Sequence, residues 1–263
     1  MTTPHAASEP VRHRLMADFT FQISVDTDNL PLGLSVADAA LAAGVTLIEM
    51  GTPLLKTEGV KNVVPAFRRR FPEALLLADM KTMDGGGYEA RGVFAGGGNI
   101  IDFLALAGTA SARAICAVRD EFRAADASTP RLVFADILVP QQGPADVALA
   151  TAEAMLEAGV DGVGVHLQLD ARRADPELFR SGYLSDIAVA LHDRFGDRAS
   201  VQVVGGLTIA QAQALARRGL RAFVVSGNMG HADGIARFDR PGAEMTRDIA
   251  AFMTVVRDAQ SRV

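Results

Sequence analysis

The sequence predicts a closed barrel of eight parallel strands alternating with eight helices, a (β/α)8 TIM barrel in a single domain behind a flexible N-terminal extension. Three features point there. From Phe21 onward, short apolar runs alternate with longer segments of helical periodicity, the pattern of βα units around a parallel sheet. Successive runs are spaced by roughly 22 to 38 residues, the length that a strand, a loop, a helix and a second loop occupy. Within 263 residues, 49% are hydrophobic and aromatics are scarce (Phe 13, Tyr 2, Trp 0), which suits helix-on-strand packing better than a β-sandwich.

The chain opens with MTTPHAASEPVRHRLMADFT, polar and carrying two prolines, and so reads as a flexible extension over residues 1–18 before a barrel over 19–263. Eight apolar runs follow as strands: FQISVD ending near Asp26, TLIEM near Glu49, LLLADMK near Lys81, IIDFLA near Ala105, LVFADI near Asp136, GVGVH near His166, VQVV near Val204 and AFVVS near Ser226. Helices are expected over 35–43, 58–71, 88–95, 109–125, 144–158, 178–195, 209–218 and 242–257. Ser35 and Thr208 suit N-caps, and Gly44, Gly159 and Gly219 sit where helices should stop before the next strand. Pro65 should kink or split the second helix. No linker or shift in composition marks a second domain.

Composition narrows the partners. A formal charge of -5 provides no basic field for nucleic acid. No apolar stretch reaches the roughly 18 residues of a membrane span, and the N-terminus lacks a signal peptide's apolar segment, so a cytoplasmic protein is expected. The single cysteine, Cys116, excludes an intrachain disulfide and reads as a buried small residue.

Chemistry concentrates at the strand ends. In LLLADMKTMD, alternation places Leu75, Leu77, Asp79 and Lys81 on one face, so two charges leave the end of a hydrophobic column together, with Asp84 in the loop beyond. Such charges need pairing, a metal or a water-filled cleft. Active sites of these barrels lie at the C-terminal strand ends, where this sequence also places Asp26, Glu49, Asp136 and His166. Taken singly, each has a structural explanation: Asp26 and Asp136 as loop caps, Glu49 as a partner of Lys81, His166 as a core histidine. Their convergence on one rim favours a shared site. Carboxylates from neighbouring strands suit a hard cation such as Mg²⁺, with Glu49 and Asp79 as ligands, Lys81 as stabiliser of an oxyanion and His166 as proton carrier. Opposite them, Gly205-Gly206 and Gly227-Asn228 follow the last two strands, where bare backbone can approach a ligand and barrels often bind phosphate.

The runs IEMGTPLLKTEGV and LLLADMKTMD closely resemble the hexulose-6-phosphate synthase branch of the orotidine-monophosphate decarboxylase suprafamily, whose hallmark is Asp-x-Lys-x-x-Asp after strand three. The resemblance covers about residues 21–234 and includes ISVD, FADI, GVHLQLD, VVGG and VVSGNMGHADG in order. It implies a Mg²⁺-dependent lyase that forms an enediolate from ribulose 5-phosphate and adds it to formaldehyde, giving a hexulose 6-phosphate. Glu49 and Asp79 match metal-associated positions, Lys81 the enediolate-stabilising lysine and His166 the proton-transfer histidine. Asp84 matches an aspartate that reaches the partner subunit's site, so a homodimer with shared active sites is implied.

The sister branch, 3-keto-L-gulonate-6-phosphate decarboxylase, typically carries arginines where this chain has Leu169 and Asn228, which favours the synthase reading. Departures from the synthase pattern fall on loops at the barrel mouth: Leu167-Gln168 after the histidine, ALAGT over 105–109 and Gly227-Asn228-Met229. Decarboxylation or epimerisation of another sugar phosphate through the same enediolate is the alternative activity. A catalytically silent sugar-phosphate-binding barrel is the non-enzymatic alternative, and the intact motif argues against it.

Overall fold

The computed structural model describes residues 6–260, and its strands close into one parallel barrel in sequence order, the last beside the first. They are β1 (Thr20–Val25), β2 (Leu47–Met50), β3 (Leu75–Thr82), β4 (Ile100–Leu104), β5 (Leu132–Val139), β6 (Gly162–Leu167), β7 (Ser200–Val204) and β8 (Ala222–Val225). Every expected strand is present, and the predicted barrel is the observed one.

Alternation along the strands divides the apolar residues between two cores. Ile23, Ile48, Leu76, Ile101, Val133, Val163 and Val203 face outward and pack beneath the helices. Leu47, Leu75, Leu77, Ile100, Leu132 and Phe134 form a separate cluster inside the barrel. A Cβ at Gly162 would lie 2.7 Å from the Phe134 ring, so the bare residue on β6 makes room for that ring. Two residues further along the same inward columns come Glu49, Asp79, Asp102 and Asp136, which is how an apolar interior delivers charge to the mouth.

The expected extension stands outside the strand–helix repeat, but its described part is helical rather than irregular; residues 1–5 lie outside the described residues. Helix α1 (Ser8–Ala17) places Leu15, 3% exposed, in the cluster inside the barrel and so closes its N-terminal end. It is anchored by polar contacts: Ser8 Oγ accepts from the Arg131 backbone N–H (3.0 Å), and the Arg12 guanidinium donates to the Arg198 carbonyl.

Helix boundaries differ from expectation in three places. Helix α2 (Leu30–Ala42) starts earlier because Asn29, not Ser35, caps it, its side chain accepting from the Leu32 N–H (3.0 Å) with Pro31 in the first turn. The helix expected over 58–71 is α4 (Val60–Arg70), which Pro65 does not split, and an additional short helix, α3 (Thr52–Glu58), precedes it, the two separated by Gly59 at φ +82°. The segment before β7 holds three helices, α8 (Leu169–Ala174), α9 (Glu177–Arg180) and α10 (Tyr183–Phe195), numbered after α5 (Gly86–Ala95), α6 (Gly108–Ala125) and α7 (Ala145–Glu157). Helix α11 (Ile209–Arg217) starts at the predicted cap, where Thr208 and Gln211 form a capping box, and α12 (Ala243–Gln260) ends the described chain. Cys116 is buried, and burial pushes its thiol up to about 11. Among the described residues no helix is long and apolar enough to cross a membrane.

Candidate active site

The Glu-x-Gly-Thr-Pro and Asp-x-Lys segments interlock at the ends of β2 and β3. Gly51 is required because a Cβ there would strike the Asp26 carboxylate and lie 2.6 Å from the Val25 carbonyl oxygen. Thr52 then donates its hydroxyl towards Asp79, at 2.7 Å from Oδ2 and 2.8 Å from the carbonyl oxygen, while Pro53 starts α3. The other Asp79 oxygen accepts from Lys81 Nζ at 2.9 Å.

Lys81 is set by an unusual backbone. The pairing of β3 with β4 is regular through Asp79 and Asp102 and then shifts, resuming at Thr82 and Phe103, so Met80 and Lys81 form a bulge. Lys81 itself has φ +46°, a left-handed conformation that costs a non-glycine residue on the order of 1–3 kcal/mol and that clusters at functional sites. The result aims its ammonium across the mouth: Nζ is 3.3 Å from Asp136 Oδ2 and 3.4 Å from His166 Nδ1. His166 Nδ1 is in turn 2.9 Å from Asp136 Oδ2.

Asp79, Lys81, Asp136 and His166, which come from β3, β5 and β6, are thus brought together. Glu49 stands beside them on β2, 5% exposed and accepting from Gln22 Nε2 (2.5 Å), which is itself held by Gln202 Nε2 on its Oε1 (2.9 Å). Asp26 sits at the rim, open to solvent, accepting from the Ser24 hydroxyl (2.8 Å).

One member of this group went unforeseen. Asp102 on β4 faces inward between Asp79 and Asp136, and its Oδ1 is buried without a partner, as is Oδ1 of Asp136. A Cβ at Gly164 would lie 3.3 Å from that Asp136 oxygen, so the bare β6 residue leaves it room.

The electrostatics follow from packing so many carboxylates around one ammonium. Burial, then repulsion from Asp79 and Asp26, raises Glu49 well above its ordinary value; burial, then Asp136 and Asp79, does the same to Asp102. At Asp26, desolvation and then Asp79 raise the carboxyl, although solvent at the rim screens the effect. Burial opposes the charge of Lys81, but Asp79, Asp136 and Asp102 outweigh it and hold the ammonium well above its usual range. Asp136 is the reverse case among the acids: burial would raise it, but His166 and Lys81 hold it below its ordinary value and keep it ionised.

This asymmetry has a measurable consequence at Asp102. A carboxyl raised on folding contributes its stability fully below its unfolded value near 3.8, and that contribution disappears as pH rises through the folded value. Asp102→Asn, neutral at every pH, is expected to melt above the wild-type protein at pH 8 by at least about 2 °C, the gap shrinking at pH 5. Melting curves at both values decide it; a variant that melts lower at pH 8 would show that Asp102 is stabilising there.

On the far side of the mouth, the glycine loops are built differently from one another. Gly205 and Gly206 take φ +138° and +69°, and Asn228 ties their turn to the loop after β8, its Nδ2 donating to Gly206 O (3.0 Å), Leu207 O (3.2 Å) and His231 O (2.9 Å). Asn228 Oδ1 is buried and has no partner. Gly227 is bare for its own loop's sake, since a Cβ there would lie 3.0 Å from both Ala236 and Phe238. Asp84 is not brought to the cluster: it is exposed, its Oδ1 accepting from the Gly85 N–H (2.8 Å).

A parallel (β/α)8 barrel with its charged side chains gathered at the C-terminal mouth defines an enzyme, with a site built from the ends of several strands. The chain belongs to the Orotidine 5'-phosphate decarboxylase / HUMPS family, whose sequence model matches residues 20–237. Within it the chain is similar to lyases. It is 29% identical to the 3-hexulose-6-phosphate synthase of Mycobacterium gastri over 78% of this chain and 89% of that protein, and 29% identical to that of Methylomonas aminofaciens over 73% and 83%. The barrel superimposes on a solved 3-hexulose-6-phosphate synthase with a TM-score of 0.70 at 24% identity, covering 89% of this chain and 99% of the other.

Proposed function

We propose that this enzyme is a Mg²⁺-dependent aldolase-type lyase that forms an enediolate from ribulose 5-phosphate and condenses it with formaldehyde to a hexulose 6-phosphate. The observation that carries the reading is the Lys81 ammonium held within reach of Asp79, Asp136 and His166. It is supported by the synthases among the relatives. Asp136, kept ionised, accepts the Nδ1 proton of His166, which leaves Nε2 as the free base. In this reading His166 takes a proton from C1 of the ketose, and the negative charge that develops on the oxygen at C2 is met by Lys81. C1 then forms the new bond to the formaldehyde carbon, and the resulting alkoxide takes the proton back from His166.

The donor set fits a hard cation: Asp26, Glu49, Asp79, Asp102 and Asp136 offer oxygens only and outnumber the single ammonium of Lys81. Glu49 and Asp79 are the residues that would hold Mg²⁺, and bound there it would supply Lewis-acid polarisation of the substrate carbonyl. Among the described residues no three His, Cys, Asp or Glu side chains converge as a cage, so water and substrate oxygens would have to complete the coordination of an ion held by these two carboxylates. The phosphate falls to the Gly205-Gly206 turn and the Asn228 loop. A cytoplasmic homodimer completes the proposal.

The test is an assay of purified protein with ribulose 5-phosphate, formaldehyde and Mg²⁺, against an Asp79→Ala control and a chelated sample. Formaldehyde consumption should require all three and vanish in both controls. Consumption no faster than in Asp79→Ala would sink the formaldehyde reading, and release of CO₂ from a 3-keto sugar-acid phosphate would replace it.

A further inference from the structure

The two halves of the mouth differ in charge. Strands β1 to β5 bring carboxylates, whereas the loops after β6, β7 and β8 surround a guanidinium. Arg172 lies on α8, just beyond the strand that carries His166, and its Nη1 donates to the Gly205 carbonyl at 2.7 Å. A Cβ placed on Gly206 would lie 2.5 Å from the same nitrogen, and one on Gly234 would lie 3.5 Å from Nη2. The guanidinium therefore sits between the turn after β7 and the loop after β8, and both glycines are bare where it approaches. Its plane is backed by Phe179, with Cζ 4.1 Å from the ring centroid, a contact that restrains the side chain without neutralising it.

No carboxylate among the described residues pairs with Arg172. Desolvation lowers its pKa, followed by repulsion from Arg173. The contrast with Arg237 in the neighbouring loop is informative: Arg237 Nη2 is 2.6 Å from Asp233 Oδ2, and its Nη1 donates to the Ile235 carbonyl (2.6 Å), so its charge is already answered. A partly buried guanidinium with an unspent charge, aimed at a glycine turn, matches the forked donor geometry that phosphate recognition uses. Beside it, the unpartnered Asn228 Oδ1 lies 3.6 Å from where a Gly206 Cβ would be and can accept from a sugar hydroxyl.

We propose that Arg172 is the phosphate-binding cation of the site, ion-pairing with the substrate's phosphate between the Gly205-Gly206 turn and the loop after β8. The assignment rests on the sugar-phosphate reading and adds the residue that answers the dianion's charge. It makes Arg172 a binding residue, remote from the proton transfer at His166. Binding energy should therefore respond to its loss, and the chemical step should not.

The experiment compares wild type, Arg172→Gln and Arg172→Lys in two arms. Calorimetric titration with inorganic phosphate needs no turnover: Arg172→Gln is expected to bind about 10- to 100-fold more weakly, with Arg172→Lys in between. In the kinetic arm, KM for ribulose 5-phosphate should rise by a similar factor, with kcat changed less than about threefold. Phosphate affinity lost in Arg172→Gln while no variant consumes formaldehyde would leave the assignment standing and overturn the lyase reading. Phosphate affinity and KM unchanged in Arg172→Gln would overturn the assignment. So would a fall in kcat and melting temperature with phosphate affinity intact, the signature of a residue that merely props the Gly205 turn.

Discussion

Replacing Lys81 with alanine is expected to suppress the exchange of solvent deuterium into C1 of ribulose 5-phosphate by about 10²- to 10³-fold, the scale of losing one preorganised donor to a developing oxyanion. The argument rests on placement. The bulge in β3 and the left-handed Lys81 backbone bring Nζ to 2.9 Å from Asp79 and 3.3 Å from Asp136, so the cation is fixed before substrate arrives. The ammonium's stabilising contribution is fully present below its unfolded value of 10.5 and is lost only as pH rises through a folded value well above that. Exchange in the wild-type protein should therefore show no loss from lysine deprotonation up to about pH 10.

Alanine also strips the counter-charge from buried carboxylates, a loss that can reach about 3–5 kcal/mol of stability. Lys81→Met, which keeps the apolar stem, serves alongside it, and circular dichroism at the assay temperature reports whether each variant is folded. A folded Lys81→Met that still exchanges deuterium at more than a tenth of the wild-type rate would remove Lys81 from the chemistry.

The fold was legible because a closed parallel barrel writes itself twice in a sequence, as apolar runs at a repeating spacing and as helix stops such as Gly44, Gly159 and Gly219, all observed with positive φ. The rim was legible for a related reason at Asp79 and His166, where an apolar run gives out within a residue or two of the charge and marks the place where a buried column opens; Asp136, with Ile137, Leu138 and Val139 still to follow in β5, carried no such mark of its own. Asp102 escaped because it sits within IIDFL with apolar neighbours on both sides, and only the pairing of β4 with β3 shows that it shares a level with Asp79. Helix α1 escaped because only Leu15, with Val11 one turn before it, meets the barrel interior from a segment otherwise rich in Arg, His and Glu, and their value depends on the open end of a barrel that local periodicity cannot display. Arg172 had no signal in its own segment. Its meaning comes from Gly205, Gly206 and Gly234, all distant in sequence. Likewise Pro65 was expected to kink or split its helix, yet α4 runs unsplit through it, and the chain turns instead before α4, at Gly59, which can adopt φ +82°.

Asp84 is the residue for which the single chain is least sufficient. Among the described residues its exposed carboxylate engages only the Gly85 N–H, although the resemblance places it in an active site. The two statements agree if that site belongs to a second copy. The surroundings favour an interface: Met83, adjacent to Asp84, is 52% exposed and Tyr88, in the first turn of α5, is 81% exposed, large side chains at the edge of the mouth that a partner could cover. Asp84→Ala should then lose activity by about 10²-fold or more while its own Lys81 cluster remains intact. Mixing Asp84→Ala with Lys81→Met, each inactive alone, should restore part of the activity after unfolding and refolding together. In the mixed dimer one site draws Lys81 from one subunit and Asp84 from the other, while the second site lacks both. Random pairing makes half the dimers mixed, and each has one of two sites complete, so the ceiling is about one quarter of wild-type activity. Recovery near that ceiling, together with a dimer mass in solution, is the expected result. No recovery from a mixture shown to contain mixed dimers would place Asp84 outside the site.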